Sequence, residues 1–112
     1  MSFNEITLRT VLLSVAASAM LMDQALAAEH EVAQKNKQFT VSELTVKVGD
    51  TVSFPNQAPF FHTVFSLSPT KTFDLGSYKK GETKKVTFEQ AGKVDVECAI
   101  HPNMQMTINV VD

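Results

Sequence analysis

Turn-forming clusters interrupt this chain at short intervals: Val48-Gly49-Asp50, Pro55-Asn56-Gln57, Ser68-Pro69-Thr70, Lys80-Gly81-Glu82, Gln90-Ala91-Gly92 and His101-Pro102-Asn103. Such spacing leaves no room for long helices, and the segments between the clusters alternate with period two. Leu44, Val46 and Val48 alternate with Glu43, Thr45 and Lys47, and Val52 and Phe54 with Thr51 and Ser53. Val86 and Phe88 share a face, as do Val94, Val96 and Cys98, and later Ile108 and Val110. No window after Ala28 sustains an apolar i, i+3, i+4 pattern over three turns. The pattern predicts an all-β fold of seven or eight short strands with polar outer faces, packed as a two-sheet antiparallel sandwich. Enrichment in Val, Thr and Phe suits a pleated surface.

The first residues read differently. Arg9 precedes an apolar run from Val11 to Met22, followed by Asp23-Gln24-Ala25-Leu26-Ala27. A cation, a short greasy stretch and small residues at positions −3 and −1 of a cut are the order of a secretory signal, with Ala25 and Ala27 in the small positions. The run is too short to span a bilayer, which needs about 20 apolar residues. An amphipathic helix is the rival reading, but the run has no polar face at helical spacing. Residues 1–27 are therefore expected to be a cleaved signal peptide and residues 28–112 the domain, exported to a periplasm with no stable membrane insertion after cleavage.

Composition narrows the function. Ten Lys/Arg and twelve Asp/Glu among 112 residues give a formal charge of −2, without the cationic excess that phosphate backbones demand, so no nucleic-acid partner is expected. The single cysteine, Cys98, excludes an internal disulfide and any four-thiolate zinc or iron–sulfur site built by one chain. By strand parity Cys98 points inward with Val94 and Val96. A buried thiol can be plain core filler.

Cys98 has neighbours that argue for more. Cys98-Ala99-Ile100-His101-Pro102-Asn103-Met104 sets a thiol, an imidazole and a thioether three residues apart in one loop. His62 stands in a distant loop, Asn56-Gln57-Ala58-Pro59-Phe60-Phe61-His62, at the start of a strand. Two imidazoles, one thiolate and a weak axial thioether are the donors suited to a copper ion alternating between Cu(I) and Cu(II).

These residues resemble those of the cupredoxins, the small blue-copper family of plastocyanin, pseudoazurin and amicyanin. The loop Cys, two residues, His-Pro, one residue, Met is similar to amicyanin's, and Val46-Lys47-Val48-Gly49-Asp50-Thr51-Val52-Ser53-Phe54 is similar to the family's second and third strands. The resemblance spans roughly the whole of residues 28–112. It implies a Greek-key sandwich and one copper per chain held by His62, Cys98, His101 and axial Met104. Met106 is the alternative axial ligand, since pseudoazurin and plastocyanin have longer loops; both methionines share one strand parity, and loop length favours Met104. Three departures stand out: Thr63 and Ala99 occupy places where many relatives link the two ligand loops through side chains, and Glu97 replaces plastocyanin's tyrosine.

The implied function is a periplasmic, monomeric electron carrier rather than an enzyme, exchanging electrons through the exposed edge of His101. Pro59, Phe60, Phe61, Pro102 and Asn103 would form the rim around it. Its partners would be redox proteins, an amine dehydrogenase or a c-type cytochrome among them. Copper trafficking without electron transfer is the alternative. An enzyme with Cys98 as nucleophile is disfavoured, because such a thiolate must be accessible. His30 is expected at a mobile terminus, where Ala28-Glu29-His30 could also chelate Cu(II). Lys79, Lys80, Lys84 and Lys85 read as a solvated face or a docking patch.

Overall fold

The computed structural model describes residues 26–112; the apolar run of the expected signal peptide lies outside the described residues. Ten strands appear in chain order: β1 (Glu29–Glu31), β2 (Gln34–Lys35), β3 (Gln38–Phe39), β4 (Glu43–Lys47), β5 (Thr51–Pro55), β6 (His62–Ser66), β7 (Phe73–Tyr78), β8 (Thr83–Thr87), β9 (Gly92–Cys98) and β10 (Gln105–Val111). They form a three-stranded sheet, β1-β5-β8, facing a five-stranded sheet, β4-β10-β9-β6-β7, with β2-β3 as a small separate ribbon. The sandwich expected from the alternation is present, with eight strands in its two main sheets. Among the described residues, no helix is long and apolar enough to cross a membrane.

The pairing is less uniform than the sequence suggests. Most ladders are antiparallel, but β1 joins β5 and β4 joins β10 in parallel. Side-chain period is the same in both kinds of ladder, so alternation predicts which face is buried and not the direction of the neighbour. Val48 likewise departs from expectation: it lies beyond the end of β4 and is 40% exposed.

Between the sheets Val52 and Phe54 of β5 and Val86 of β8 meet Val94 and Val96 of β9 and Ile108 of β10, all buried. Val64 of β6 and Phe88 complete that core at full burial. Two glycines shape the frame. Gly49, at φ 96°, turns the chain from β4 into β5, and Gly76, at φ 71°, sits where β7 carries an extra residue opposite β6. Both conformations are costly for any residue with a Cβ.

The N-terminal segment is tied down. His30 lies in β1, opposite Val52, and its Nε2–H donates to Asp50 Oδ2 at 2.9 Å. A mobile terminus is therefore not what the chain adopts. The Cu(II) chelate would also need consecutive amide nitrogens in one plane, whereas those of a strand alternate sides.

Candidate metal centre

Three strand ends converge at one pole of the sandwich. His62 opens β6, Cys98 closes β9, and the loop carrying His101 and Met104 joins β9 to β10. Val64 pairs with Cys98 across β6 and β9, which brings the two distant segments side by side. The Cys98 Sγ lies 3.7 Å from His62 Nδ1 and 3.8 Å from His101 Nδ1. The donor atoms of all three residues fall within 4.8 Å of one another.

That spacing can be tested against a metal. Bonds of about 2.0 Å to nitrogen and 2.3 Å to sulfur, opened by ~120° in a trigonal plane, separate S from N by about 3.7 Å. The donors thus stand where one first-row ion could bond all three. A soft thiolate with two imidazoles, beside buried thioethers, is a donor set suited to copper.

The His62 ring is fixed from behind. Its side chain is fully buried, and Nε2–H donates to the Asn36 carbonyl at 3.1 Å, which leaves the Nδ1 lone pair toward Cys98. Burial pushes the imidazole below its ordinary pKa, neighbouring His101 acts in the same direction, and the Asn36 bond opposes both. A neutral ring with a fixed tautomer is what ligation requires. Asn36 was not singled out in the sequence. An Asn between two lysines is a turn signal, and its φ of 56° bears that out, but nothing local says that the turn reaches His62.

The loop delivering His62 is held by Asn56. Its Nδ2 donates to the carbonyls of Phe60 and Tyr78 at 2.8 and 3.0 Å, and its Oδ1 accepts from Ala58 N–H at 2.9 Å. Tyr78 pairs with His62 across β7 and β6, and its hydroxyl donates to the Phe54 carbonyl at 2.7 Å while accepting from Gln34 Nε2. Burial pushes the Tyr78 phenol up to about 12, so it remains a neutral donor. Asn56→Ala would leave the buried Tyr78 carbonyl without this donor and release the part-buried Phe60 carbonyl; apo-protein stability should fall by roughly 1–3 kcal/mol, read from the urea midpoint.

The link between ligand loops runs through the Thr63 main chain. Its N–H donates to Cys98 Sγ at 3.4 Å, and its carbonyl accepts from Ala99 N–H at 3.2 Å. Backbone groups thereby tie together the two loops at the positions where Thr63 and Ala99 depart from the family pattern.

Met104 and Met106 are both buried, but on different rungs. Cys98 N–H donates to the Met104 carbonyl at 3.2 Å and Met104 N–H to the His101 carbonyl at 2.9 Å, so Met104 sits opposite Cys98 at the pole. Met106 pairs with Val96, one inward-facing rung deeper in the sandwich. His101 alone of the three clustered residues is partly exposed. Its ring lies 6.0 Å from that of Phe60 and 4.9 Å from that of His62. Pro59, Phe60, Phe61, Pro102 and Asn103 are exposed as expected, and Ile100, not singled out in the sequence, joins them at 49% exposure. Lys37 lies over the Phe60 ring.

The four lysines of the β7–β8 region are exposed on the sandwich's flank. Lys84 Nζ donates to the Leu75 carbonyl and Lys85 pairs with Glu29 at 3.0 Å.

Comparison with known proteins agrees with this geometry. The family model for copper binding proteins of the plastocyanin/azurin family matches residues 26–111. The methylamine utilization protein MauL of Methylorubrum extorquens is 31% identical over 102 residues, covering 90% of this chain and 89% of that protein. A reduced amicyanin mutant superposes with a TM-score of 0.68 at 29% identity, covering 80% of this chain and 87% of its own. The copper-containing nitrite reductase of Thermus scotoductus SA-01 gives a TM-score of 0.70 at 25% identity; 80% of this chain matches only 23% of that enzyme.

Proposed function

The chain belongs to the plastocyanin/azurin family of copper-binding proteins, and from that premise we propose that it is a periplasmic, monomeric electron carrier, acting on no substrate of its own. In this reading His62, Cys98, His101 and Met104 would hold the copper. Copper bound there supplies a one-electron couple. The chain's part is to hold the donors in place: His62 by the Asn36 carbonyl, Cys98 by the Thr63 amide, and the loop of His101 by the Met104 bond. A frame that moves little when charge changes lowers the cost of each transfer.

The observation that carries the proposal is the asymmetry of exposure. His62, Cys98 and Met104 are buried while His101 reaches the surface. Around it Phe60, Phe61 and Ile100 are 42%, 57% and 49% exposed. Such a rim suits short-lived docking through a small interface, since water leaves easily and no buried charge must be paired. The similarity to a methylamine utilization protein and to amicyanin supports an amine dehydrogenase as one candidate partner; a c-type cytochrome suits the same rim. Export and removal of residues 1–27 supply the compartment.

Loading the purified chain with Cu(II) should give an intense thiolate-to-copper colour and fast, reversible electron exchange at an electrode. A coloured but electrochemically sluggish protein would favour copper trafficking instead, and a colourless one would refute both the ligand set and the carrier. Ile100→Asp puts a charge in the rim without touching a donor. It should leave the spectrum unchanged and slow electron transfer to a protein partner about tenfold or more, the cost of desolvating that carboxylate.

A further inference from the structure

The pole opposite the metal centre contains a carboxylate with more partners than a turn needs. Asp50 follows Gly49 at the start of β5 and is only 4% exposed. Its Oδ2 accepts from Lys47 N–H and from His30 Nε2–H, each at 2.9 Å, and its Oδ1 accepts from the Ala28 nitrogen, also at 2.9 Å. The Ala28 carbonyl in turn accepts from Thr51 N–H at 3.0 Å, so the residue is held on both sides at the entrance to β1. The chain just before it lies at the surface: Leu26 is 92% exposed and Ala27 is exposed too.

We infer that Asp50 is the receptor for the α-ammonium created when a peptidase cuts between Ala27 and Ala28. The inference rests on the export reading above and adds what the new terminus does. Hydrolysis consumes one water: the Ala27–Ala28 C–N bond breaks, hydroxyl goes to the Ala27 carbonyl carbon, and the released amine takes up a proton. The nitrogen that donates one neutral hydrogen bond in the unprocessed chain then becomes a cation at the same distance from Oδ1. A charge-assisted bond is the stronger one.

The surroundings suit an ionised carboxylate. The His30 bond first, then the backbone amides of Lys47 and Ala28, hold Asp50 down at about 2 against desolvation. Of the other charges on β1, Glu29 pairs with Lys85 at 3.0 Å, and Glu31 is exposed and, by strand alternation, on the same face as Glu29, opposite to His30. For Asp50 itself, stabilisation is complete above its ordinary carboxylate range and is lost as pH falls toward about 2. For the ammonium the sign reverses. Pairing raises its pKa, so stabilisation is complete below the ordinary α-amine value of about 7.7–8.0 and is lost as pH rises through the raised one.

The test starts with the exported protein. Its N-terminal sequence should begin at Ala28; any other start overturns both the processing boundary and the receptor. In the Cu(I)-loaded mature chain labelled at Ala28, the methyl resonance should titrate at least one pH unit above the ordinary amine, a tenfold change in proton affinity. Asp50→Asn should return it to the ordinary value. Should that variant not fold, the mature chain with an N-acetylated Ala28 keeps Asp50 intact. It should melt below the free-amine chain at pH 7 and match it once pH exceeds the raised amine pKa. An Ala28 terminus whose amine titrates normally, or whose acetylation leaves melting unchanged at pH 7, overturns the receptor while leaving the export reading standing. Capture of a second Cu(II) by the terminal amine and His30 would overturn it as well.

Discussion

Replacing Cys98 with serine is expected to abolish the intense visible absorption of the copper-loaded protein and its reversible electron exchange. A thiolate gives up electron density at far lower energy than an alkoxide or hydroxyl, and sulfur is the soft donor that accommodates Cu(I). No other sulfur can replace it, because Cys98 is the chain's one cysteine and the methionines offer only neutral thioethers. The fold should survive. Serine is close in volume, and the Thr63 amide that donates to Sγ can donate to Oγ. The loss of stability in the apo-protein should therefore stay within about 1–3 kcal/mol, the range for burying a partly satisfied hydroxyl. Absorption spectra and voltammetry of the loaded variant, with urea unfolding of the apo form, read the two effects separately. Retained colour would remove Cys98 from the ligand set.

How much of this was legible beforehand depended on whether the information was local. Alternation identified the inward faces of β5, β9 and β10, because Val52 and Phe54, or Val94, Val96 and Cys98, carry it within a few residues. The same pattern could not say that β4 runs parallel to β10, since direction is set by connections far away in sequence. Cys98, His101 and Met104, at successive spacings of three, were readable as chemistry for the same local reason, and His62 was the one further imidazole placed at the start of a strand, with the family resemblance pointing to the same residue. In the fold His62 Nδ1 lies 3.7 Å from Cys98 Sγ, a proximity that no local pattern encodes.

What escaped the sequence acts through the backbone or across the fold. Asn36 serves the site with its carbonyl, and any residue has one. The Thr63 amide and carbonyl join the ligand loops, although the family resemblance had drawn attention to the side chains at Thr63 and Ala99. Ile100 reaches the rim because the chain has left β9 by then, so strand parity no longer describes it. His30 and Asp50 lie 20 residues apart and meet only because β1 pairs with β5. A turn signal at Val48-Gly49-Asp50 correctly marked the bend and gave no hint that its aspartate is buried.

The axial assignment gives the second large effect. Met104→Ala and Met106→Ala each empty a buried side chain and should each cost about 2–5 kcal/mol of stability. Stability alone therefore cannot tell a ligand from core filler, and the potential can. Met104→Leu and Met106→Leu keep most of the volume, so each should cost less than about 1.5 kcal/mol and isolate the sulfur. With Met104 as the proposed donor, removing its thioether would take a ligand from the more highly charged oxidation state and leave an apolar wall, which disfavours Cu(II). The reduction potential should rise by roughly 59 mV or more, equivalent to a tenfold change in relative affinity for the two states. Met106→Leu should leave potential and spectrum where they were, because Met106 lies on the Val96 rung rather than opposite Cys98. The reverse pattern, with Met106→Leu moving both and Met104→Leu neither, would mean that the longer-loop arrangement applies and that the Met104 backbone bonds merely close the loop.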